Sequence, residues 1–175
     1  MRIPFVVAAA AIGLGLTAAT ALPALADDTT VTFTITGGTL TINAPASSNL
    51  GSVTSGAASV SAQMGAVTVT DDRGGLSSSW SASVISTDFT TGGATGPETI
   101  PDINATYSPG AATSTTGTGT FAAGPGGVIN VPRVAFTGAD LVGNNAATWN
   151  PTLTVTIPAG KVAGVYTGTV THSVG

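Results

Sequence analysis

His172 is the only histidine in the 175-residue chain, and any acid–base chemistry has to be built around it or around carboxylates. It sits in an alternating run in which Val170 and Val174 share its face. A Ser-His-Asp relay would use it as general base, yet the chain has no G-x-S-x-G elbow to pose a serine beside it. One imidazole and no thiol leave too few ligands for zinc. Glycoside hydrolysis needs two acids flanking a groove. The chain has eight acids, but Glu98 is the sole glutamate and stands in a glycine-rich stretch. Asp71-Asp72, and Asp140 with Asn144-Asn145, are oxygen-rich clusters of the kind calcium uses, though neither follows a D-x-D-x-D-G loop. Arg73, next to Asp71-Asp72, points to a local ion pair instead. These patterns predict a non-catalytic chain with no catalytic, cofactor-binding or metal-ligating residues.

The aromatic residues are the remaining candidates. Trp80, Tyr107, Trp149 and Tyr166 make up the whole Trp and Tyr inventory. Trp80 alternates with Ala82 and Val84, which assigns it to the core of a domain that needs bulky burial. Trp149 precedes Asn150-Pro151, and Pro151 disfavours a central ladder position, so Trp149 is expected at a strand entrance. There it either caps the core or keeps its ring accessible. If accessible, it would form a binding surface with loop residues Asn144, Asn145 and Asn150 and with the Asp71 and Arg73 turn. Amides there would hydrogen-bond sugar hydroxyls and acetamido groups, while an indole face contacts the ring.

The elements that must position these residues read as strands throughout. Apolar residues recur with period two, not 3.6. Val31, Phe33 and Ile35 alternate with threonines, Gly37-Gly38 suits a tight turn, and Leu40 and Ile42 resume the alternation, which predicts a hairpin over residues 31–42. Further strands are expected at 59–63, 66–71, 80–87, 104–107, 128–136, 152–157 and 165–173. Residues 90–101 and 108–127 read as long loops, rich in Gly, Thr, Ser and Pro. Many short strands between turn signals predict an all-β fold, a single antiparallel β-sandwich.

Composition sets the compartment and excludes partners. Met1-Arg2, an apolar run over residues 5–16 and Ala24-Leu25-Ala26 before Asp27-Asp28 match a cleaved export signal. The run is shorter than the ~20 residues of a membrane span, so residues 1–26 are expected to be a Sec-type signal peptide and 27–175 the secreted domain, without an integral membrane anchor. Beyond Ala26, Arg73, Arg133 and Lys161 are the only cations against eight acids, a net charge of −5. Nucleic acid is a poor partner for that surface, because phosphate binding needs clustered Lys and Arg. There is no cysteine, so the core has no disulfide to support it.

Two segments carry a family resemblance. Val67, Val69, Asp71, Arg73 and Gly74 lead to Trp80, and near the end Trp149 is followed by Gly164-Val165-Tyr166. With the early run from Gly37 to Ile42, this resembles the WxL cell-wall-binding domains of Gram-positive bacteria. Trp80 is followed by Ser-Ala and Trp149 by Asn-Pro, so both motifs lack the leucine. The resemblance implies an Ig-like, WxL-like secreted domain that associates non-covalently with peptidoglycan or other cell-wall glycan and with other surface proteins. In it, Trp80 and Tyr166 are structural motif residues. The alternative is a subunit of a surface fibre or adhesin acting through protein–protein contacts, built by strand addition at exposed edges. That would need an unpaired apolar extension. With the first strand expected from Val31, only Asp27, Asp28, Thr29 and Thr30 stand ahead of it.

Overall fold

The computed structural model describes residues 26–175. The signal peptide expected over residues 1–26 therefore lies, apart from Ala26, outside the described residues. The chain divides into two units, Met1–Thr34 and Ile35–Gly175. In the described part of the first, residues 26–34 are exposed and form no strand or helix.

The second unit is all-β. Its strands are β1 (Leu40–Asn43), β2 (Ser59–Gln63), β3 (Val67–Asp71), β4 (Ser78–Ser86), β5 (Phe89–Thr90), β6 (Thr99–Ile100), β7 (Ala105–Ser108), β8 (Ala112–Ala123), β9 (Gly127–Val128), β10 (Arg133–Trp149), β11 (Thr152–Thr156) and β12 (Val170–Val174). All pairings are antiparallel. β10 organises the larger sheet. Along one edge it pairs first with β4, from Arg133 opposite Val84, and then with β3, ending with Trp149 opposite Val67. β3 and β4 thus behave as two halves of one strand interrupted by residues 72–77. β8 pairs along the other edge of β10, while β1 and β12 extend β3 and β4 outward. The second sheet runs β2-β11-β7-β9.

Alternation explains which faces are buried. Val67, Val69 and Asp71 point inward from β3, and Trp80, Ala82 and Val84 from β4. Tyr107, Leu153 and Val155 meet them from the second sheet's strands, within one continuous core. Phe136 and Trp149 stack with ring centroids 4.8 Å apart and planes at 15°, an offset aromatic geometry. Gly138 is required here: a Cβ on it would lie 2.6 Å from Cε2 of Trp80.

Several expected elements differ. The hairpin over 31–42 does not form. Only Leu40–Asn43 is a strand, and its partner is β3, because Gly38 donates its N–H to the Asp72 carbonyl at 2.7 Å and carries the chain onto that edge. The stretch expected as a loop over 108–127 contains the 12-residue strand β8. Its pattern was invisible because both faces are almost wholly exposed, so nothing apolar alternates. Between 90 and 101 lies a short β5–β6 ladder around a 3-10 turn at Gly96–Glu98. The strand expected over 128–136 is broken between β9 and β10 around buried Ile129, and β12 starts at Val170, leaving Val165 exposed.

Both tryptophans are core residues, Trp80 at 3% and Trp149 at 0% exposure. Trp80→Ala and Trp149→Ala should each destabilise the domain by ~3–5 kcal/mol, as truncation of a buried aromatic does. Urea melts of the two variants measure this. A loss below about 1 kcal/mol for either would place that ring outside the core.

Candidate functional site

The exposed polar surface is built where the β3–β4 turn meets an irregularity in β10. The register of β10 shifts between Gly138 and Leu141 and again between Val142 and Ala146. Asp140 and Gly143 sit there with φ of 55° and 69°, the left-handed conformation that bulges use. The bulge docks on the turn, with Gly143 N–H bonded to the Gly75 carbonyl at 2.8 Å.

Beneath this junction lies a buried polar node. Asp71 is fully buried. Its Oδ1 accepts from the backbone N–H and Nε of Arg73 at 3.1 and 2.8 Å, and its Oδ2 from Arg73 Nη2 at 2.9 Å. Arg73 Nη2 also donates to the Ser79 carbonyl at 2.9 Å. Asn145 donates through Nδ2 to Asp71 Oδ2 at 3.3 Å and accepts from Trp80 Nε1 at 3.1 Å. Hydrogen bonding to the Arg73 guanidinium holds the Asp71 carboxyl down at about 2, against the opposing effect of burial. The ion pair expected from the Asp71–Arg73 spacing is therefore present.

A half-open cleft of about 500 Å³ lies on the outer side of the node. Thr36, Gly37, Gly38, Arg73, Gly74 and exposed Asn144 are among its walls. Gly37 packs so tightly that a Cβ there would collide with the Arg73 carbonyl oxygen. Arg73 keeps 39% of its side chain exposed while paired.

A second polar chain runs inside the core. Trp149 Nε1–H donates to the Tyr107 hydroxyl at 2.9 Å, and that hydroxyl lies 3.1 Å from His172 Nε2. The indole can only donate, so the Tyr107 proton is free to point at Nε2. Neutral His172 then carries its proton on Nδ1, which is buried without a hydrogen-bond partner. Burial pushes the Tyr107 hydroxyl up to about 12 and His172 below its usual range. Among the described residues no carboxylate hydrogen-bonds to this imidazole, and the chain Trp149–Tyr107–His172 ties strands of both sheets together.

The structure corrects the expected binding surface. Trp149 ends β10 instead of entering a strand, and its ring is sealed against Phe136 and Tyr107; no indole face is open to a sugar. Asn145 is not a loop residue but a buried part of β10, engaged with Asp71 and Trp80. Asn150 hydrogen-bonds Gln63 at 3.0 Å and the Gly65 N–H at 3.1 Å. Asn145 faces Asp71 across the ladder while Trp149 faces Val67, four positions away, or about 13 Å along the strand. Of the expected set, Asn144 and Arg73 line the cleft together, Asp71 and Asn145 lie beneath it, and Trp149 and Asn150 are elsewhere. Tyr166 is half-buried against the core and donates its hydroxyl to the Val162 and Pro97 carbonyls at 3.0 and 3.2 Å. The cleft wall at Gly37-Gly38 was not anticipated, although paired glycines hinted at close backbone approach. Among the described residues there is no cluster of three or more His, Cys, Asp or Glu side chains placed to hold a metal, and no helix is long and apolar enough to cross a membrane. No family model, curated protein or solved structure matches the chain.

Two pH effects follow. Asp71 is depressed in the folded state, so its stabilisation is complete above its ordinary value of 3.8 and is lost as pH falls toward about 2. That amounts to roughly 1–2 kcal/mol once solvent screening at half-exposed Arg73 is allowed for. His172 is also depressed, so acidification below its usual 6.5 removes stability earlier. Urea midpoints followed from pH 7 to 2 should fall in two steps. Asp71→Asn should shrink the lower step, and a variant profile identical to the parent's between pH 4 and 2 would contradict the ion pair.

Tyr107→Phe should cost ~1–3 kcal/mol, because it leaves Trp149 Nε1 and His172 Nε2 buried without partners. A melting midpoint equal to the parent's would show that the hydroxyl bridge is not made.

Proposed function

We propose that this chain is a secreted, non-catalytic cell-surface domain, an Ig-like, WxL-like sandwich, that associates non-covalently with cell-wall peptidoglycan through the cleft beside Arg73 and Asn144. The observation that carries the reading is that cleft: open, walled by the Gly37-Gly38 backbone, Thr36, Asp72, Ile35, the Asn144 amide and the paired Arg73 guanidinium, and braced from below by the Asp71 node. Amide and guanidinium donors fit sugar hydroxyls and acetamido oxygens, and the brace holds them in place before a ligand arrives. The WxL resemblance and the export signal read from the sequence support the same setting. With a net charge of −5 beyond Ala26, adsorption to anionic polymers is disfavoured, and binding should survive moderate salt. A second reading, a subunit of a surface fibre or adhesin, is favoured by the exposed apolar residues Val31, Phe33 and Ile35, the last of which also borders the cleft.

Co-sedimentation with purified sacculi tests the first reading. The protein should pellet with intact walls and not with glycan-digested ones. Asn144→Ala, an exposed change expected to alter stability by under about 0.5 kcal/mol, should lower retention several-fold. Retention equal to the parent's would remove the cleft from the account, and no pelleting at all would remove wall binding.

A further inference from the structure

Residues 31–35 have the makings of a strand but no strand partner among the described residues. Val31, Phe33 and Ile35 are 81%, 85% and 86% exposed, alternate with Thr32 and Thr34, and would line up on one face of an extended chain. No backbone hydrogen bond joins them to any described residue. Three large apolar side chains in register and in water mark an interaction surface. They also supply an apolar extension of the kind strand addition needs.

A matching acceptor exists on the same molecule. β2 pairs with β11 on one side, and on the other its backbone groups meet no backbone partner among the described residues. Its sequence, Ser-Val-Ser-Ala-Gln, contains no proline or charge of the kind that usually blunts an edge. Between the two sheets a groove of about 710 Å³ opens, its apolar floor at Val60, Met64, Val67, Leu153 and Val155 and its polar wall in the segment 44–56. β8 also has a free edge, but both its faces are almost wholly exposed and offer apolar side chains no pocket. The groove and the Arg73 cleft share no residue. Just ahead of β1, the Gly38–Asp72 hydrogen bond ties the chain to the cleft side.

We propose that residues 31–35 of one copy add as a strand to the free edge of β2 in a second copy, seating Val31, Phe33 and Ile35 in its groove. This rests on the fibre reading and names its partner as the same chain. Donor segment and acceptor groove are different surfaces, so the contact is heterologous, leaves a free donor and a free groove at the ends, and propagates as a linear array.

Sedimentation velocity over a concentration series, in the absence of any cell wall, tests assembly separately from wall binding. The parent chain should form a ladder of oligomers. Phe33→Asp, which puts a charge into the groove from an exposed position, should stay monomeric with an unchanged melting midpoint. The chain has no cysteine, so Phe33→Cys and Val53→Cys, made in separate copies and mixed with a short thiol cross-linker, report the contact directly; Val53 lines the groove and is 47% exposed. Mixed dimers joining position 33 to position 53 are expected. The proposal is overturned if the parent is monomeric throughout, if Phe33→Asp assembles like the parent, if only 33-to-33 dimers form, or if a chain carrying both cysteines cross-links within itself.

Discussion

The buried carboxylate of Asp71 is the constraint on which the larger sheet depends. A full charge in the interior is tolerated only when its oxygens are satisfied, and here the acceptors are filled by the guanidinium and N–H of Arg73 and by the Asn145 amide. Each donor comes from a different piece of the structure. Arg73 belongs to the turn that interrupts β3 and β4, and it reaches on to the Ser79 carbonyl at the start of β4. Asn145 belongs to the irregular middle of β10, and its other end fixes the Trp80 indole. One acid thus ties a turn, a bulge and a core tryptophan into a single arrangement, in a chain without disulfides.

The second polar chain does for the far end of β10 what Asp71 does for its middle. Trp149 brings an N–H into a dry interior, and the Tyr107 hydroxyl from the second sheet receives it. His172 on β12 completes the link at the cost of an orphaned Nδ1. Burying an indole needs a partner for its nitrogen, and that requirement draws strands of both sheets onto one residue. The same chemistry removes Trp149 from any role at the surface.

What could be read in the sequence divides along the same physical line. β3, β4, β7 and β11 each bury one face and β2 half-buries one, so their apolar alternation is written in the residues, and Trp80 was legible as core for that reason. β8 buries neither face and owes its existence to the edge of β10. The second half of β10 is broken by Asp140, Gly143, Asn144 and Asn145, residue types that also make loops; local composition does not distinguish a bulge from a turn. Residues 31–35 fail in the opposite sense, since their alternation is strand-like but no strand in the described chain receives them. For the candidate site, the Asp71–Arg73 pair was visible because its two members are two residues apart. The Asn145 bridge and the Trp149–Tyr107–His172 link join residues 74, 42 and 65 positions apart, and no local pattern encodes them.

The two recesses differ in their surroundings. The cleft by Arg73 is braced by the Asp71 node, while the groove by β2 lies beside backbone groups with no partner among the described residues. The cleft depends on the Asp71 node holding turn, bulge and tryptophan together as one unit. A double-mutant cycle of Asp71→Asn with Trp80→Phe, read from urea unfolding, tests that claim most directly, because Asn145 hydrogen-bonds both side chains. A coupling energy of about 1 kcal/mol or more is predicted, in the range found for residues within one hydrogen-bond network. Additivity to within about 0.3 kcal/mol, as for independent sites, would contradict it.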